Sequence, residues 1–337
     1  MSLPRLVTLL AAALLLSGPA SAKDKGPKKP EPTPEQRTEI RQLMRRAVGG
    51  RHEARRSEAA TKLGRMGPVA EMAVPSLVQA LKDRDVSVGC AAANALGRVG
   101  VYSKAAVKGL TATLSKGRDP LLRASAAEGL GMIGALARKP AARPLLSALT
   151  HKDQDLRREA AKALGLVSEG DEKLTKQAIK AIQPLLSDDE KRVRRAAALS
   201  LVRLGDTSPK LVDLLKATVT KSGRAIVEER RDASAALGKL GAAARSAVPT
   251  LIAAVREEAQ INKAIPYAEQ RRAQHDEFRR AAVVALGEIG DPRARAALER
   301  AKQTSALAEA AEAALAKLPP EGEGEEKSDS EGESDDD

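Results

Sequence analysis

The sequence predicts an all-α chain, wound as a right-handed superhelix of about eight helix pairs. A thirteen-residue stretch, Val193 to Gly205, recurs seven times with its leucine at 63, 96, 130, 164, 201, 237 and 286. The spacings are 33, 34, 34, 37, 36 and 49 residues, and a period of this size marks a stacked repeat protein. A second observation is an alanine four residues before every matched leucine: Ala59, Ala92, Ala126, Ala160, Ala197, Ala233 and Ala282. Seven alanines in one column predict a close helix–helix contact with no room for a larger side chain. The third is an apolar residue three after each leucine (Met66, Val99, Ile133, Val167, Leu204, Leu240, Ile289) and, in five copies, eight before it (Val88, Leu122, Leu156, Val193, Phe278). Offsets of about four, four and three residues form one face of a helix. A glycine ends six of the seven copies, as a helix terminus in the left-handed region requires.

Seven residues before the leucine stands an arginine in every copy but one: Arg56, Arg123, Arg157, Arg194, Arg230 and Arg279, with Gly89 the exception. Four residues ahead of that column lie Asp85, Asp119, Asp153 and Glu190. The row admits two readings, an anion-binding face or an acid–arginine ladder that joins successive turns. Fixed charges at repeat positions favour the ladder, since each unit must stack on its neighbours.

The pattern V-R-x-A-A-x-x-L-G-x-I-G follows helices that read Ala73-Val74-Pro75-Ser76-Leu77, Arg143-Pro144-Leu145-Leu146, Gln183-Pro184-Leu185-Leu186 and Ala247-Val248-Pro249-Thr250-Leu251. It resembles HEAT-like repeats, of the subtype also seen in phycobilisome lyases, over roughly residues 35 to 318. The resemblance implies paired antiparallel helices, with the second helix of each pair lining a concave side. It implies no particular activity and brings no chromophore site.

In chain order, residues 1–22 read as a secretory signal: Arg5, an apolar run from Leu6 to Leu16, a Ser17-Gly18-Pro19 break and Ala20-Ser21-Ala22 before Lys23. The run is too short for a membrane span, and the order of parts predicts export to the periplasm or beyond. Residues 23–34 are a Pro/Lys-rich linker. Thr33-Pro34-Glu35-Gln36 then predicts a helix start, with Thr33 as cap and Gln36 completing a capping box. Gly49-Gly50 predicts its end. Helix pairs fill residues 35–318, the last near 292–302 and 305–317, without the Leu-Gly signature. The 49-residue step places an insertion between Val255 and Phe278, read either as a loop on the binding side or as a longer helix pair. Residues 319–337 form an acidic tail, disordered by composition.

Charge is divided unevenly. Residues 319–337 carry ten acids against one lysine and residues 1–22 a single arginine, which leaves +20 on residues 23–318 of a chain whose net charge is +12. A basic body calls for an anionic partner. Export favours a protein, an anionic glycan or a lipid surface over nucleic acid. No catalytic, metal or cofactor constellation is read. His52, His151 and His275 fall in unrelated repeats, and the lone Cys90 sits among glycine and alanines as a packed small residue.

A second stripe runs along each second helix, at six before, two before and two after the leucine. It predicts a partner-binding groove formed by Arg158, Lys162, Arg195, Leu199, Arg203, Arg231, Ala235, Lys239, Arg280 and Val284, with basic walls and a narrow apolar floor. The expected function is an exported, non-enzymatic scaffold. A lyase-like enzyme or enzyme subunit and a nucleic-acid-binding HEAT-like protein are the alternatives.

Overall fold

The computed structural model describes residues 30–221, 227–258 and 267–320. The predicted signal and the acidic tail beyond residue 320 lie outside them. Eight consecutive helix pairs follow one another. The first four are α1 (Pro34–Gly49) with α2 (Glu53–Arg65), α3 (Val74–Ala80) with α4 (Val86–Val99), α5 (Lys104–Lys116) with α6 (Pro120–Ile133), and α7 (Arg138–Ala148) with α8 (Gln154–Val167). The next four are α9 (Glu172–Ile182) with α10 (Lys191–Arg203), α11 (Pro209–Val219) with α12 (Val227–Lys239), α13 (Val248–Arg256) with α14 (Ala268–Ile289), and α15 (Arg295–Lys302) with α16 (Ala308–Leu315). Short 3-10 turns lead into several odd-numbered helices, and no strand occurs among the described residues.

The helices form two rows. Even-numbered helices stack on the next even-numbered helix, closely except between α10 and α12, and odd-numbered ones on the next odd-numbered one, except that α11 meets the 3-10 turn Gln183–Ser187 rather than α9. The matched leucines lie between the rows, and all seven are fully buried. Each such leucine contributes about 1.5–3 kcal/mol by leaving water. The alanine column is buried as well, at 0–3 % exposure. Local signals act as the sequence predicts at the start: the Thr33 side chain accepts from the Gln36 amide, and the Gln36 side chain accepts from the Thr33 amide.

The glycine directly after each leucine sets how closely the even row packs. A Cβ on Gly97 would lie 2.7 Å from the Gly129 Cα, one on Gly238 2.9 Å from the Ala285 Cα, and one on Gly287 2.6 Å from the Ala314 Cα. The small residue before the next repeat's leucine is therefore the partner of this glycine. One repeat breaks the rule with Val202. There α10 and α12 barely touch, and a small opening forms between them, lined by Arg195, Leu199, Leu215 and Asp232. A branched side chain at the glycine position cannot share the backbone-to-backbone distance its neighbours use.

Ten residues of the insertion, 268–277, are helical at the start of α14. α14 runs 22 residues, so part of the extra sequence lengthens its N-terminal end, while residues 259–266 lie outside the described residues. The last pair is shorter than the pattern predicts, ending at Leu315.

Candidate functional site

The arginine column must be settled first, because it decides which cations face a partner. Arg157 on α8 binds Asp188 through Nε–Oδ2 at 2.7 Å and Nη2–Oδ1 at 2.9 Å, and donates from Nη1 to the His151 carbonyl at 2.9 Å. Arg56 on α2 repeats this with Asp83 at 2.7 and 2.8 Å and the Gly50 carbonyl at 2.9 Å. Arg230 on α12 grips Glu257, donates to the Val219 carbonyl at 2.7 Å, and lies 4.1 Å from the Phe278 ring centre. Three of the six arginines thus form a ladder, with acids that differ from those the spacing nominates, while Arg123 meets His151, Arg194 donates to the Asp188 and Asp189 carbonyls, and Arg279 donates to the Val255 carbonyl and pairs with Asp276 of its own helix. Asp85, Asp119 and Asp153 cap α4, α6 and α8 by accepting backbone amides, and Glu190 stands at the start of α10 without a side-chain cap bond. The partners are Asp83 and Asp188, two residues earlier and one repeat further along. Hydrogen bonds from Arg56 and Arg157 hold these two carboxyls below the usual aspartate range.

The predicted stripe lies on the even-numbered helices, and its members have different neighbours. On α8, Arg158 is held by Asp155 and by Glu159 at 2.8 Å, and Lys162 reaches the same Glu159 at 2.9 Å. On α10, Arg195 pairs with Asp232 across the opening, Arg203 pairs with Glu169 at 2.9 Å, and Leu199 is 37 % exposed beside that opening. These four cations carry carboxylate partners already.

The remaining five come together. Arg231, Ala235 and Lys239 of α12 face Arg280 and Val284 of α14 across a shallow groove of about 610 Å³. Val284 is 44 % exposed and supplies the apolar floor with Ala235 and Ala281. Arg231 is shared by Asp232 at 3.2 Å and Glu277 at 3.3 Å. Arg280 donates only to a carbonyl, that of Ala306 at 2.8 Å, and Lys239 meets no carboxylate among the described residues. Glu288 at the groove's end is taken by Lys317, in the turn that follows α16. The uncompensated positive charge therefore sits on Lys239 and Arg280, flanking Val284.

Two stripe positions in earlier repeats escape a reading based on cations. The same columns hold Asn94 on α4 and Glu128 on α6. Asn94 Oδ1 is buried without a partner among the described residues, and half-burial with the nearby Glu159 charge pushes the Glu128 carboxyl above its ordinary value. Cys90, one turn before Asn94, is half-buried, and burial raises its thiol. Among the described residues no three His, Cys, Asp or Glu side chains converge on a metal position.

Comparison with known proteins follows the architecture. The family model of HEAT repeats matches residues 40–131, 107–176 and 142–232, and that of the PBS lyase HEAT-like repeat matches residues 278–304. Among solved structures, the E. coli protein YibA aligns at 16 % identity over 86 % of this chain and 98 % of its own, with a TM-score of 0.57. The CpcE–CpcF complex of phycocyanin lyase from Nostoc sp. PCC7120 aligns at 23 % identity over 89 % and 100 %, with a TM-score of 0.49. No curated protein matches. The HEAT models cover more than half of the sequence, and the two-row stack of helix pairs is the fold they describe: the chain belongs to the HEAT-repeat family.

Proposed function

We propose that this protein is an exported, non-enzymatic scaffold that binds an acidic segment of another protein along its even-numbered helices. The contact centres on Lys239, Arg280 and Val284, with Arg231 and Ala235 completing the groove. One observation carries the reading: in this groove two cations without carboxylate partners among the described residues flank an exposed valine, whereas the stripe cations Arg158, Lys162, Arg195 and Arg203 of α8 and α10 are already paired with carboxylates. A charged rim around a small apolar centre fits a partner with acidic side chains and one apolar anchor.

The test is affinity chromatography of the exported fraction on the full chain, followed by titration of the identified partner. Lys239→Ala with Arg280→Ala should weaken that partner about tenfold at low salt, while Arg158→Ala with Arg203→Ala should change it less than twofold. Equal losses from both pairs would reduce the groove to general charge. N-terminal sequencing of the native protein tests export, and a chain that keeps Met1 in the cytoplasm overturns that part.

A further inference from the structure

The row of odd-numbered helices carries a second groove, on the side away from the proposed partner contact. It lies between α5 and the start of α7 and encloses about 750 Å³. Lys104, Lys108 and Lys116 line one wall, and Lys139 stands on the other. All four are exposed, and none meets a carboxylate among the described residues. Arg138 is turned aside, donating to the carbonyls of Val167 and Glu169. The only acid lining the groove, Asp171, accepts the Leu174 amide as the cap of α9. This charge is less compensated than in the even-row groove.

The floor differs from an ordinary solvated helix face. Val107, Ala112, Leu136 and Pro140 make it apolar. Thr111, between them, has a buried Oγ1 without a partner among the described residues.

We infer that this groove is a second docking surface, for an extended acidic segment of a partner protein. Length supports this occupant. Lys104 to Lys116 spans twelve residues of helix, about 18 Å at ~1.5 Å per residue, the length of about six residues of extended chain. Spread lysines suit a row of carboxylates better than one compact anion, which would need converging donors. The floor is shallow, with Ala112 and Pro140 exposed and Leu136 half-buried, and it offers an apolar side chain a contact between the flanking lysines. The surface is separate from the even-row groove and does not rest on its occupancy.

The probe is a fluorescein-labelled peptide of sequence Glu-Leu-Glu-Glu-Leu-Glu, titrated into the full chain at low salt with anisotropy as readout. Wild type should bind it, and binding should fall steeply as salt rises. Lys104→Ala, Lys108→Ala and Lys139→Ala together should weaken it about tenfold, at two- to threefold per exposed pair. Ala112→Glu, which adds a carboxylate at an exposed helical position, should weaken it at least fivefold with an unchanged circular dichroism melt. The series is run in the Lys239→Ala/Arg280→Ala background, which removes the even-row groove as a second site for an acidic peptide, and adding Arg41→Ala with Arg45→Ala, two exposed cations of α1, should leave binding within twofold. Four results overturn the inference: no binding by the Lys239/Arg280 background up to millimolar peptide, retention of binding when the three lysine changes are added to it, loss when the Arg41/Arg45 changes are added instead, or binding of phosphatidylglycerol vesicles without binding of the peptide. A synthetic peptide of residues 321–337 that binds more tightly than the probe, at the same lysines, would make the occupant the chain's own acidic segment and overturn the assignment to a partner.

Discussion

Arg157 and Asp188 belong to successive repeats and join them through two parallel hydrogen bonds, at 2.7 and 2.9 Å. The same guanidinium also satisfies the turn carbonyl of His151. One side chain therefore closes its own turn and grips the next. Where the arginine column lapses at Gly89, the corresponding position of the following repeat is Gly117, so both halves of the pair are missing together. Asp188→Asn should cost about 2–3 kcal/mol, because it leaves a largely buried guanidinium with a weaker acceptor. Urea denaturation followed by circular dichroism measures this, and a change below 0.5 kcal/mol would show the ladder to be decorative.

The ladder also predicts acid sensitivity. The Asp83 and Asp188 carboxyls titrate below their unfolded value of about 3.9, each chiefly because its arginine hydrogen-bonds the ionised form. Their contribution is complete above the unfolded value and is lost as pH falls through the lower folded one. The double variant Asp83→Asn with Asp188→Asn should be less stable than wild type at pH 7. The gap should narrow below about pH 4. Thermal melts at pH 7, 4 and 3 decide, and a gap that stays constant with pH would refute this origin.

His151 occupies the ladder position that Asp83 and Asp188 fill elsewhere, facing Arg123 at 3.2 Å from Nε2 while Nδ1 accepts the Asp153 amide at 3.1 Å. A neutral imidazole has one lone-pair nitrogen and one N–H, so it cannot accept from both donors. An aspartate can. His151→Asp should stabilise the chain by about 1 kcal/mol, seen as a higher melting temperature at pH 7. A lower melting temperature would mean that the ring's packing outweighs its missing acceptor.

Half-burial and the neighbouring Glu159 raise the Glu128 carboxyl. The folded state then binds this proton more tightly than the unfolded chain does. Ionised Glu128 lowers stability, fully so above its raised folded value and not at all below the ordinary glutamate value of about 4.3. Glu128→Gln should raise the melting temperature at pH 8 and do little at pH 4. The opposite order would assign Glu128 a stabilising ion pair instead.

The glycine after each leucine gives a packing test. Gly97→Ala places a methyl within 2.7 Å of the Gly129 backbone, which cannot retreat as a flexible side chain would. A loss of about 1–3 kcal/mol is expected. Val202→Ala should do the reverse locally: α10 and α12 should close, seen as slower amide hydrogen exchange in both helices. Faster exchange there would mean that Val202 seals this joint.

The repeat, its helix pairs, the buried leucine and alanine columns and the Thr33 cap were legible in the sequence, because each is a local pattern. Hydrophobic spacing of three and four residues forces one face inward whatever lies across from it. The partners of the charges were not legible. Asp153 and Asp188 look alike in sequence, yet one caps its own helix and the other holds an arginine 31 residues away. Likewise the stripe of ten predicted groove residues shares one helical face. Only packing decides that Glu159, Glu169 and Asp232 pair with the cations of its first half while Lys239 and Arg280 meet no carboxylate among the described residues. The odd-row lysines, spread over α5 and α7, carry no motif at all. Charge acts through distance, and distances between repeats are set by the glycine and valine contacts of the stack rather than by the order of residues along the chain.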